Sequence, residues 1–129
     1  MARGAPDYTK RIEIHFSSGQ AAEEYAWGAA GNYSGTSTTY QQAVTATVTV
    51  GRVAELKELI ILSDDYAHTL VKVTIGSVVW CTDWSPTGAM PIIFEDLRLA
   101  AAAVVKVEAK SSTGAAIDVD AIIVGKEVG

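Results

Sequence analysis

Apolar and polar positions alternate with a period of two along most of the chain. In Lys10–Ser17, Ile12, Ile14 and Phe16 fall on one side and Arg11, Glu13 and His15 on the other, the pattern of a half-buried antiparallel strand. Tyr40–Val50 sets Val44, Ala46, Val48 and Val50 against Thr45, Thr47 and Thr49, and β-branched residues of this kind favour a pleated surface. Val53–Ser63 opens with the charged Glu55, Lys57 and Glu58, then runs through Leu59-Ile60-Ile61-Leu62 without a polar break, which suits burial on both faces. Its Glu and Leu also favour helix, but the Ile pair and the Asp64-Asp65 turn signal that follows favour strand.

Turn residues punctuate the rest. Asp64–Ala67 is a polar turn before the alternating stretch Thr69–Ile75, and Gly76-Ser77 reverses the chain into Val78–Cys81, with glycine supplying the positive φ of a two-residue hairpin. Thr82–Met90 is a turn-rich loop, and Pro91 opens the strand Pro91–Leu97, where its missing N–H costs little. Ala100–Ala103 connects to Val104–Lys110, Ser111–Gly114 is expected to close a hairpin, and Ala116–Val124 places Ile117, Val119, Ala121 and Ile123 on one face with Asp118 and Asp120 on the other. Short strands at this spacing predict an all-β protein, an antiparallel sandwich of about eight strands with jelly-roll order. Residues 10–129 form a single domain, 1–9 an extended N-terminal arm. Gln20–Trp27 has the composition of a short helical turn, and Gly28–Thr39 shows no apolar period. Residues 19–39 are therefore expected as a long projecting loop, a kind of connection that often carries function.

Composition narrows the function classes. With 129 residues, 49% of them hydrophobic and 19% charged, the chain supports one folded core. Lys and Arg number 10 against 15 Asp and Glu, a formal net charge of -5, and the basic residues are scattered, which argues against nonspecific nucleic-acid binding. No apolar run approaches the roughly 20 residues that cross a bilayer, and the opening Met1-Ala-Arg-Gly-Ala-Pro-Asp lacks the apolar region of a secretory signal, so synthesis and folding in a cytoplasm are expected. The single Cys81 permits no internal disulfide and reads, beside Trp80, as a buried structural thiol. Asn32 is the only asparagine and Gln, Met and Cys are rare, a depletion that points to a heat-adapted source.

Candidate chemistry is thin. The two histidines, His15 and His68, lie in separate elements, so a His/Glu metal set of the cupin kind is not expected. Asp64-Asp65 could ligate calcium, but aspartate pairs also form turns and no acidic residue follows at EF-hand spacing. Asp118 and Asp120 share a strand face as acid–base pairs do, and as solvated positions also do. No nucleophile elbow or glycine-rich phosphate loop is present in the sequence. A non-enzymatic protein without cofactor or metal is expected. Trp80 reads as core. Trp27 and Trp84, with Tyr25 and Tyr33, read as loop aromatics that could anchor a protein interface, stack on sugars or cap the core.

Phe94-Glu-Asp-Leu-Arg-Leu-Ala-Ala-Ala-Ala-Val-Val-Lys-Val-Glu-Ala-Lys-Ser-Ser-Thr-Gly, followed by Ile117-Asp-Val-Asp-Ala-Ile-Ile-Val-Gly-Lys-Glu, resembles the closing strands of small jelly-roll structural proteins of virus particles, including the capsid decoration and accessory proteins of tailed bacteriophages. Glu58-Leu-Ile-Ile-Leu-Ser-Asp-Asp and its following hairpin are similar to the same group. The chain departs from it where Ala100–Ala103 replaces the usual glycine before the penultimate strand. The resemblance implies a virion protein, made in the host cytoplasm, that binds across neighbouring subunits of the major capsid protein, often as a homotrimer, and cements the shell. It implies contact through the N-terminal arm, the long loop and the Trp84 loop, with Tyr8, Tyr25, Trp27, Tyr33, Trp84, Ala101 and Ala102 as candidate interface residues. The alternative is a carbohydrate-binding β-sandwich module with Trp27, Trp84 and Tyr33 as its sugar platform.

Overall fold

The computed structural model describes residues 23–129. The expected strand Lys10–Ser17, the arm Met1–Thr9 and the candidate Tyr8 lie outside the described residues. Eight strands follow in chain order: β1 (Glu24–Gly35), β2 (Gln41–Thr47), β3 (Val53–Ser63), β4 (Thr69–Ile75), β5 (Val78–Trp84), β6 (Met90–Leu99), β7 (Val104–Ser111) and β8 (Ile117–Val128). They form two four-stranded sheets, β1-β8-β3-β6 and β2-β7-β4-β5. All pairs are antiparallel, and β1 with β8, β2 with β7, β3 with β6 and β4 with β5 are partners. The chain is thus a long antiparallel ribbon folded over on itself, with β4-β5 as its closed tip. This is the jelly-roll order of two interlocked Greek keys.

The tip forms as the turn chemistry requires. Ile75 pairs with Val78 across Gly76-Ser77, Gly76 has φ 64°, and no side chain stands in the way of that conformation. By contrast, Ser111–Gly114 does not close a hairpin. β7 pairs with β2 and β4, whereas β8 pairs with β1 and β3, so this turn carries the chain from one sheet to the other. Ser112 N–H donates to the His68 carbonyl and Ser111 N–H to that of Ser37, at 2.9 and 2.8 Å, which holds the crossing against neighbouring loops.

The expected loop at 19–39 is corrected as well: from Glu24 to Gly35 it is β1, and the helical turn expected to reach Trp27 is strand from Glu24. Its exposure does alternate, with Trp27 buried, Ala29, Gly31 and Tyr33 partly buried, and Ala26, Ala30, Asn32 and Ser34 exposed. The period is written in alanine and glycine, so its hydrophobic contrast is small. Small residues are needed there, because a Cβ on Gly31 would run into the Ala43 carbonyl of β2. Close approach of β1 to β2 closes one side of the sandwich.

Between the sheets lies a core of aliphatic side chains, with Leu56, Leu59, Val71, Val73, Val105, Val107 and Val119 wholly buried. The inner faces supply it by strict alternation, as β7 shows with Val105, Val107 and Ala109 inward and Lys106, Glu108 and Lys110 outward.

Ala100–Ala103 is a tight turn between β6 and β7. Ala103 N–H donates to the Ala100 carbonyl at 3.1 Å, and the turn is tied to the end of β2 by Ala102 N–H to Val48 O (3.0 Å) and Val48 N–H to Ala103 O (2.9 Å). Ala102 has φ 68°, a left-handed conformation that an L-residue with a Cβ adopts at a cost of about 1–2 kcal/mol. Part of that cost is returned by the greater freedom glycine has in the unfolded chain. Ala102→Gly is accordingly expected to stabilise the protein by about 0.5–1 kcal/mol, read as a higher urea midpoint at unchanged slope; an unchanged or lower midpoint would show that the turn is not strained.

Candidate functional site

The predicted aromatic residues are scattered through the fold. Trp27 is 9% exposed, and its Nε1–H donates to the Thr47 carbonyl at 3.0 Å. It is a core residue that closes the β1–β2 side, which agrees with the core-capping reading and corrects its placement in a loop. Tyr33 is partly buried against the core, and its hydroxyl accepts the Ser37 N–H at 3.0 Å. It stands six positions along β1 from Trp27, about 20 Å at strand rise. Trp84 packs on the core from β5, at the opposite edge of the other sheet. Trp27, Tyr33 and Trp84 therefore share no platform. Ala101 and Ala102 are exposed in their turn.

Tyr25 belongs to a polar cluster at the end of the sandwich where β1 begins. The Arg52 guanidinium lies 3.5 Å from its ring centroid, and its hydroxyl donates to Glu23 Oε1 at 2.5 Å. That hydrogen bond, first, and desolvation, second, raise the phenol above its ordinary range. Arg52 also reaches Glu127, which is 3% exposed. Glu127 Oε2 accepts the Thr49 N–H at 2.6 Å and Oε1 the Arg52 Nη1–H at 3.2 Å. The Thr49 N–H, more than the guanidinium, holds this carboxyl below the ordinary carboxylate range. A depressed folded-state pKa gives stability that is present above the unfolded value of 4.5 and lost as pH falls through the folded one. Glu127→Gln is therefore expected to lower the Tm at pH 7, with the gap to the parent narrowing as the pH is taken from 5 towards 3. A gap independent of pH would mean that the charge contributes nothing.

The carboxylates singled out by sequence serve local structure. Asp64 Oδ1 accepts the Asp118 N–H at 2.9 Å; Asp65 Oδ2 meets His68 Nδ1 at 2.8 Å. Asp118 and Asp120 stand outward from β8, and the Asn32 amide donates to both, at 2.5 and 2.8 Å. Among the described residues no group of three His, Cys, Asp or Glu side chains could hold a metal ion. Cys81 is half-buried, and desolvation pushes its thiol up, away from the reactive thiolate.

Among the described residues, the most exposed aromatic is one expected in the core. Trp80 is 47% exposed and meets Phe94 edge-on, with ring centroids 5.4 Å apart and planes at 62°. A bulge places it there. Thr74 pairs with Val79 and Val73 with Cys81, so Trp80 is the extra residue of β5, and bulges re-aim side chains in this way. Trp80 and Phe94 thereby span the open side where edge strand β5 of one sheet faces edge strand β6 of the other. Val78 and Val79 extend the patch, 64% and 50% exposed. Its sequence signal was the unbroken Val78-Val79-Trp80-Cys81 directly after a hairpin tip, since an edge strand cannot bury both faces. Exposed apolar edges and aromatic anchors are features that protein–protein contacts use. No protein-family model matches the chain, and none of the curated proteins matches it.

Proposed function

We propose that this chain is a non-enzymatic structural protein of a virus particle, an accessory or decoration protein that stabilises the shell by burying surface against coat subunits. The half-exposed Trp80–Phe94 pair at the β5–β6 edge carries the reading, because it offers a rigid aromatic anchor where the sandwich is open. The jelly-roll order, an architecture that viral capsid proteins use, agrees with the resemblance of β6 to β8. The mechanism is release made costly by buried contacts, with no bond made or broken. The sugar-module alternative gains nothing from the geometry, since its three rings are dispersed.

The test is to quantify the chain by mass spectrometry in purified particles from cells that carry its gene, with parent or Trp80→Ala protein. Many copies per particle for the parent, with loss of at least about tenfold for Trp80→Ala, is the expected result for a hot-spot aromatic worth 2 kcal/mol or more. Absence of the parent from particles overturns the proposal. Retention of Trp80→Ala at parental level removes the β5–β6 edge from it.

A further inference from the structure

The outer face of the sheet β1-β8-β3-β6 carries an apolar band where a solvated sheet is polar, with Glu58 at its margin between Val124 and Ile93. β3 carries Leu59-Ile60-Ile61-Leu62 and β8 carries Ala121-Ile122-Ile123-Val124, side by side, with Ile60 paired to Ile122. Leu59, Ile61, Ala121 and Ile123 fill the core, so Ile60, Leu62, Ile122 and Val124 point out, Leu62 and Val124 at 36% and 37% exposure. Runs of this kind belong to strands covered on both faces, and among the described residues no second layer lies over this one. Ala30 flanks Ile122 on β1 and Pro91 flanks Ile60 on β6, so one apolar row crosses all four strands. Ile93, 72% exposed, adds to its margin. The other sheet shows no such band: Lys72 on β4 and Lys106, Glu108 and Lys110 on β7 face out.

Charge is arranged unequally on the two sides of the row. On one side stand Asp118 and Asp120, and among the described residues no cation reaches salt-bridge distance of either. On the other lie Lys126 and Arg98, on either side of Glu55 in one row across β8, β3 and β6, beside a groove of about 420 Å³ that all three line; Lys126 Nζ already lies 3.1 Å from Glu24 and 3.8 Å from Glu55, so a second copy's Asp118 would share it with them. A two-fold axis lying along the apolar row turns one copy over onto another and reverses the strand direction. It sets apolar row on apolar row and brings Asp118 of each copy over Lys126 of the other. An axis parallel to the strands would instead set aspartates on aspartates.

We propose that this face is the interface of a two-fold dimer, packed sheet to sheet about the Ile60–Ile122 row with Asp118–Lys126 contacts at its margins. This is a pair, not the three-fold set implied by the resemblance, and it stands whether or not the chain belongs to a virion. Four strands at ~4.8 Å and eight residues at ~3.4 Å cover roughly 500 Å² per copy, which reaches the ~1,000 Å² of a specific interface without exceeding it. An interface at this lower bound is expected to associate weakly, so mass must be measured across concentration.

Light scattering on residues 1–129 from about 5 µM to about 1 mM tests it. The expected result is a monomer–dimer equilibrium that Ile122→Asp abolishes. Ile93→Lys, at a position too exposed to affect folding, should weaken it about tenfold. Asp118→Lys and Lys126→Asp should each weaken it by a similar factor, and combined they should return it to within about threefold of the parent. A monomer throughout, a trimer, or a dimer indifferent to Ile93→Lys and to the charge exchange overturns the proposal.

Discussion

Trp27→Ala should destabilise the isolated protein by about 3–5 kcal/mol, the range for removing a buried large aromatic side chain. The indole is buried among β1, β8 and the end of β2. Its removal leaves a void beside Gly125 and takes away the Nε1–H that the Thr47 carbonyl accepts. In a domain of this size the Tm should fall by roughly 10–20 °C. Trp27→Phe keeps most of the ring and loses the hydrogen bond, for about 1–2 kcal/mol. Differential scanning calorimetry of parent and both variants gives the answer without any partner present. A Tm within two or three degrees of the parent for Trp27→Ala would restore the residue to a surface role, since a residue reserved for a partner leaves the free chain's stability untouched.

The placement of Trp27 in a strand shows where the sequence is opaque. β2, β4 and β7 announce themselves because valine or leucine alternates with charged residues or threonine, a large contrast at period two, and β3 and β8 by runs of β-branched and leucine residues. β1 has the same period, but its inward positions are Trp27, Ala29, Gly31 and Tyr33 and its outward ones Ala26, Gly28 and Ala30, so only Trp27 and Tyr33 mark a side. Sheet membership is hidden for a different reason. Gly76-Ser77 and Ser111–Gly114 both read as turns, yet the first joins neighbours within a sheet and the second joins strands of opposite sheets. Loop length hints at the difference, but the decision rests on long-range pairing. Trp80 leaves the core because a bulge shifts the alternation by one residue, and no local signal locates that bulge. Leu59–Leu62 demands two-sided burial, and the described residues meet only half of it.

Gly125→Ala is expected to cost about 2–4 kcal/mol, more than overpacking by one methyl commonly does, because the obstacle is partly backbone. Gly125 stands in β8 between Trp27 of β1 and Leu56 of β3. A Cβ there would strike the Glu55 carbonyl and come within 2.9 Å of Trp27 Cε3. Its φ is not positive, in contrast to Gly28, Gly51, Gly76 and Gly114, so space alone demands glycine, not conformation. The close approach follows from the bulge in β3, where Leu56 faces Gly125 and Glu58 faces Val124, leaving Lys57 as the extra residue that bends β3 toward β8. The two obstacles separate in a double-mutant cycle. With Trp27→Ala in place the indole no longer blocks the new methyl, which also fills part of the void, so the double variant should lose at least about 1 kcal/mol less than the sum of the singles. Urea titrations of the four proteins read this coupling directly. Strict additivity would place the whole penalty on the Glu55 carbonyl and leave Trp27 free to move aside, whereas the predicted coupling makes Gly125 the notch in β8 that lets the indole close the β1–β2 side of the sandwich.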